Sequence, residues 1–174
     1  MKKLCFANHP VWAMAFRPFY LLCALYGAFS VLLWGFGFTG TRAISGYLWH
    51  AHEMVWGYAG GIVVAFLLTA VATWTQQPPI RGKFLMWLVG LWLAARLTAF
   101  LPWGLPTGLL GTAFFWLGAY GMWQSVWASR NTRNYIAVAA IVLLGFSHLA
   151  FHYYAWAGET ETLRTGLSVS PAHA

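Results

Sequence analysis

Four histidines, one glutamate and one arginine stand inside stretches that are otherwise apolar. They are His50, His52 and Glu53 in WHAHEM, Arg96 in LWLAAR, and His148 and His152 in SHLAFH. Neutral imidazole is a ligand for haem iron and for copper, and two His from neighbouring helices can hold a b-type haem without a covalent link. A carboxylate or guanidinium beside them can orient a ring nitrogen or a propionate. His50, His52, His148 and His152 are therefore the candidate cofactor and metal ligands, with Glu53 and Arg96 behind them. His148 and His152, four residues apart, project one above the other on a helix. Gly145, one turn earlier on that face, leaves room for a flat macrocycle.

At about 100° per residue, Glu53 lies within about 40° of Gly57 and His50 within about 60° of Glu53, so both should face a helix-bundle interior. His52 points about 100° the other way and reaches a neighbouring helix or the membrane interface. If the helix begins later, His50 and His52 instead meet in an extended turn.

The elements that must position these side chains follow from composition. The chain has 174 residues, 60% hydrophobic and 7% charged, and its three acids are all Glu. Soluble domains carry roughly 25% charged residues, so this surface is made for lipid rather than water. Five stretches suit a bilayer-spanning helix of about 20 residues: Phe19 to Phe38, Trp49 to Trp74, Phe84 to Leu101, Leu105 to Trp127 and Tyr135 to Ala157. The expected fold is an all-α, five-helix transmembrane bundle forming a single membrane domain. Its third and fourth helices are joined by the short PWGLP turn.

Lys2, Lys3, Arg17, Arg81, Lys83, Arg130 and Arg133 fall on one side, against Arg42 and Arg164 on the other. Positive charge stays cytoplasmic, which puts the N-terminus inside and Glu159 and Glu161 outside. On this topology the His, Glu and Arg positions converge in one layer of the outer leaflet, although a lone His or Arg near a helix end can equally be interfacial. Trp34, Trp49, Trp74, Trp103, Trp127 and Trp156 near the helix ends suit an interfacial belt. Gly57, Gly61, Ala65, Thr69 and Thr73 form one small-residue stripe, and Gly108, Gly111, Gly118 and Gly121 make a second close-packing helix. Cys5 and Cys23 have neither metal nor c-haem spacing, and His9 and His173 lie outside the spans.

Without Asp there is no Ser-His-Asp triad, and no Walker sequence is present. Hydrolase and nucleotide-binding chemistry have no support. The basic residues sort by membrane side rather than into a patch, which disfavours nucleic acid. A rival reading is a transporter module in which Glu53, Arg96 and the His residues line a proton or solute path.

WHAHEMVWGYAGGIVVAFLLTAVATWTQ, together with AFRPFY from Ala15 to Tyr20 and LWLAAR from Leu91 to Arg96, resembles the NnrS family of bacterial membrane proteins. The resemblance implies a multi-pass inner-membrane protein containing haem and copper, linked to denitrification and nitric oxide. A redox role in nitric oxide metabolism is the enzyme activity it would allow. It points to His50, His52 and Glu53 and adds weight to Arg17 and Arg96. Ala72 and Thr73 stand where the family has Pro-Asn, so a kink is expected to be missing. Family members are longer, so the chain looks like the N-terminal half of that architecture. A second-half polypeptide or a homo-oligomer would then be its partner beside the bilayer, and an inactive fragment is the remaining alternative.

Overall fold

The computed structural model describes residues 9–44, 46–102 and 104–165, the side chains of 159–165 excepted. Lys2, Lys3, Cys5, Trp103 and His173, and the side chains of Glu159, Glu161 and Arg164, lie outside the described residues. Among the described residues the architecture is all-helical, with five long helices and no strand.

A short 3-10 turn, Pro10–Ala13, capped by the His9 side chain, leads into α1, Phe16–Gly35. Pro18 sits in the first turn of α1, where a missing N–H costs no hydrogen bond. The second helix, α2, runs over Tyr47–Thr75 and contains a π-helical stretch, Glu53–Ala59. It ends where Gln76 takes a left-handed conformation, φ 55°, which closes the last turn. Gly82, also at positive φ (64°), ties the next connection to the N-terminal turn by donating its N–H to the Trp12 carbonyl. From there α3 covers Lys83–Thr98, α4 Gly104–Ser129 and α5 Tyr135–Thr165.

The helices fall where apolar run length placed them. α1 begins three residues early, and α5 continues past Ala157 into a more polar segment. Among the described residues, three helical segments are long and apolar enough to cross a membrane: Phe16–Gly35, Tyr47–Thr75 and Thr132–Gly158. α3, at 16 residues, is shorter than a typical span of about 20.

α4 packs against α2, α3 and α5, while α1 packs along α2. Phe19, Leu68, Leu88, Trp92, Phe114 and Met122 fill the space between them. The outside is apolar as well, with Leu21, Leu32, Trp87, Leu97 and Ile136 exposed, as a bundle solvated by lipid requires. Trp34, Trp74 and Trp127 are exposed near helix ends, as expected of belt residues, and Trp156 is exposed near the end of the apolar part of α5. Trp49 is a correction to that expectation: it is fully buried and donates its indole N–H to the Ala99 carbonyl at 3.1 Å.

The small-residue stripe on α2 packs at its N-terminal end. Gly57, Gly61 and Ala65 are buried, and Thr69 hydrogen-bonds to the start of α1, whereas Thr73 is exposed. A Cβ on Gly61 would stand 2.6 Å from Cys23 Sγ and 2.8 Å from Trp92 Nε1. A Cβ on Gly90 would meet nothing within 4 Å. Gly61→Ala should therefore destabilise the bundle by about 1–3 kcal/mol, whereas Gly90→Ala leaves stability unchanged or raises it. Thermal melts of the two variants in one detergent check this; equal melting temperatures would contradict the packing.

Candidate functional site

Glu53 opens the π-helical stretch, and its side chain has no solvent exposure. A carboxylate in such surroundings must be paired or heavily hydrogen-bonded. Three side chains do this. His52 Nδ1 lies 2.6 Å from Oε1, Arg96 on α3 donates Nη1–H to Oε2 at 2.8 Å, and Tyr26 on α1 donates its hydroxyl to Oε2 at 2.5 Å. Gly57 makes room for this arrangement, because a Cβ there would overlap the Arg96 guanidinium. Trp92 braces the same turn by donating to the Gly57 carbonyl at 2.9 Å.

His52 turns its other nitrogen toward α5. Its Nε2 lies 3.1 Å from His148 Nε2 and 3.1 Å from His152 Nε2. One ligand nitrogen from each of the three residues falls within 4.8 Å of the others, and all three side chains are buried. Two back nitrogens have partners: His52 Nδ1 has Glu53, and His148 Nδ1 has the Thr112 hydroxyl at 3.1 Å. His152 Nδ1 has none among the described residues. Phe151 lies over the His52 ring at 5.2 Å, and Trp56 and Phe115 approach His148, so the nitrogens meet inside an aromatic wall.

The glycines of α4 are the floor of this site. A Cβ on Gly111 would stand 2.6 Å from His148 Nε2, and one on Gly108 would stand 3.0 Å from the His152 Cβ. The second glycine series is therefore a seat for two imidazoles as well as a packing surface.

The six positions expected in one layer divide five to one. His52, Glu53, Arg96, His148 and His152 form one connected cluster, and His50 does not join it. His50 stacks on Trp34 of α1 with ring centroids 4.6 Å apart and planes at 19°. The expectation that His50 faces inward with Glu53 is corrected, and His52 is the one that reaches across to a neighbouring helix. Adjacent residues thereby serve different partners: Glu53 faces α1 and α3, and His52 faces α5. Arg17 is exposed at the start of α1 and bonds the Pro10 carbonyl at 2.8 Å, away from the cluster. The space expected beside Gly145 is taken by Trp116, whose Nε1 would lie 2.6 Å from a Cβ there.

Thr112 and Tyr26 were not anticipated. Thr112 could have been found from Gly108 and Gly111, which mark the face of α4 that meets the His pair. Tyr26 sits in an apolar run with no local signal.

The chain is an all-helical bundle with three membrane-length apolar segments among the described residues and a buried tris-imidazole cluster that could hold a metal ion. The family model described as NnrS protein matches residues 10–172, and the chain belongs to the NnrS family. The match extends through α5 and so includes His148 and His152. No curated protein and no solved structure matches the chain.

Removing one member of a buried ion pair leaves the other charge uncompensated, at a cost of about 3–5 kcal/mol. Arg96→Met should lower stability by that amount, and Arg96→Met combined with Glu53→Gln should recover part of it. Unfolding of both variants in detergent tests this; a double variant no better than the single would show that the charges are not coupled.

Proposed function

We propose that this chain is a multi-pass protein of the bacterial inner membrane that holds a copper ion on His52, His148 and His152 and handles nitric oxide. In this reading all five helices cross the bilayer, the N-terminus is cytoplasmic and the metal lies in the outer half. The observation that carries the reading is the convergence of three imidazole nitrogens from two helices, one of them backed by a buried carboxylate.

The donor set supports an ion. Nitrogens bound at about 2.0–2.1 Å to a tetrahedral ion lie roughly 3.3 Å apart, close to the 3.1 Å separations from His52. A haem held between two imidazoles would need a flat gap between the rings wide enough for the macrocycle. His52 and His148 leave no slot of that kind, and Trp116 fills the space beside Gly145. The residues around this triangle thus fit an ion and do not fit the haem b that the family resemblance implies between them.

Copper is favoured over other ions because an all-imidazole set suits it and because it stands at the top of the divalent affinity order. The charge balance agrees. Glu53 and Arg96 neutralise each other and three neutral imidazoles add nothing, so a low-charge ion such as Cu(I) costs least in this apolar interior. When bound, such an ion offers an open position for a small neutral ligand and can change oxidation state. The chain's own part is to fix the ring orientations. Glu53 accepts from His52 Nδ1–H, and the Thr112 hydroxyl does the same for His148, so both Nε2 lone pairs point to the centre. The aromatic wall excludes water from the ligands.

The purified chain should carry about one copper per polypeptide. His148→Ala and His152→Ala should abolish it, and His50→Ala should retain it. Glu53→Gln should weaken affinity by about 10–100-fold. Metal analysis and a reduced-minus-oxidised spectrum read these outcomes. Zinc alone in the site would sink the redox reading, and a haem Soret band lost on His148→Ala would sink the assignment of this triangle to an ion. Nitric oxide added to the reduced, copper-loaded chain should change its optical spectrum, and no change would count against nitric oxide as the ligand.

A further inference from the structure

Between α4 and α5 lies an apolar cavity of about 350 Å³, walled by Gly104, Leu105, Gly108, Leu109, His152 and Trp156, among others. One of its walls is thus a member of the nitrogen triangle. The inference rests on the metal reading above. A metal on His152 Nε2 takes that lone pair and leaves the proton of the neutral ring on Nδ1, which becomes a donor. His52 and His148 have acceptors for this proton in Glu53 and Thr112. His152, whose side chain is more than nine-tenths buried, has no acceptor among the described residues. Gly104 keeps the approach clear, because a Cβ there would begin 3.8 Å from His152 Nδ1.

We infer that this cavity binds the headgroup of a membrane quinone, with a carbonyl oxygen accepting the His152 Nδ1–H and the ring lying among Leu109 and Trp156. Each property of the cavity selects for that class. Its walls are apolar, and Leu105 and Trp156 are exposed on the bundle's outer surface, so the ligand arrives from lipid. A diatomic gas, comparable with a water of roughly 30 Å³, would leave most of the volume empty. An acyl chain fills apolar space but offers no acceptor. A phospholipid headgroup needs cationic partners, and no Lys or Arg lines the cavity. A quinone ring supplies a flat apolar body and a carbonyl acceptor, and it needs no donor of its own.

The test uses the full chain in detergent, with copper measured before any ligand is added. A short-chain benzoquinone is titrated by calorimetry into the chain with its copper oxidised to Cu(II), the EPR-visible state, and the copper EPR spectrum is recorded with and without it. Saturable binding is expected, with a change in the copper spectrum because the acceptor polarises a metal-bound imidazole. Leu109→Trp, which fills the cavity from a residue outside the triangle, should weaken quinone binding at least tenfold and leave copper content unchanged. Leu105→Trp serves the same purpose if the first variant does not fold. An alkylbenzene of similar size should bind at least tenfold more weakly than the quinone. Equal binding of the alkylbenzene, or quinone binding indifferent to both substitutions, would overturn the inference and leave the metal reading standing. Absence of copper from the unsubstituted chain would overturn both.

Discussion

The carboxylate of Glu53, held with no solvent exposure inside an apolar bundle, is the constraint to which the other elements answer. Its three partners come from three different places: Tyr26 on α1, Arg96 on α3 and His52 on its own helix. An exposed ion pair contributes about 0–1 kcal/mol, whereas breaking a buried one costs several times more. A shift of one turn in α1 or α3 relative to α2 would remove a partner and strand the charge. Glu53 therefore fixes the mutual register of those helices, and His52 carries the register on to α5 through His148 and His152.

Much of the fold was legible because a membrane helix announces itself within its own segment. Run length alone located five helices, and their alternating direction brought Glu53, Arg96, His148 and His152 to one depth. The rotational assignment is right for His52, which reaches a neighbouring helix, and wrong for His50. It assumed a regular α-helix, but Glu53–Ala59 is π-helical, with Gly60 N–H bonding the Val55 carbonyl five residues back. A widened turn changes which side chains share a face. Both histidines lie at the α-helical edge of that turn, and His50 ends against Trp34 while His52 enters the cluster. Trp49 followed the same logic of place: its position suggested an interfacial residue, but the Ala99 carbonyl gives its N–H a partner inside.

What escaped a reading of the chain depends on pairings between distant segments. Gly108 and Gly111 read as generic packing glycines until His148 and His152 are set against them, roughly forty positions downstream in the numbering. Their missing side chains then become the volume that the imidazoles occupy. Gly145 shows the converse. Its lack of a side chain suggested space for a ligand, yet the indole of Trp116 claims that space from the neighbouring helix. A glycine in a packed bundle marks close approach, and only the facing helix decides what approaches.

The three imidazoles differ in what stands behind them, and the difference has a direction. His52 is backed by a carboxylate, His148 by a neutral hydroxyl and His152 by no acceptor among the described residues. An anion behind an imidazole raises its basicity and fixes its tautomer, a hydroxyl does so more weakly, and a ring without either is least constrained. The support behind the three rings thus weakens from the side held by α1 and α3 toward the side that borders the α4–α5 cavity. The most constrained imidazole lies where the buried charges lock the helices, and the least constrained one where the bundle is open. For the proposed metal site, exchange is consequently easiest beside His152, on the side reached through apolar surface rather than past Glu53 and Arg96.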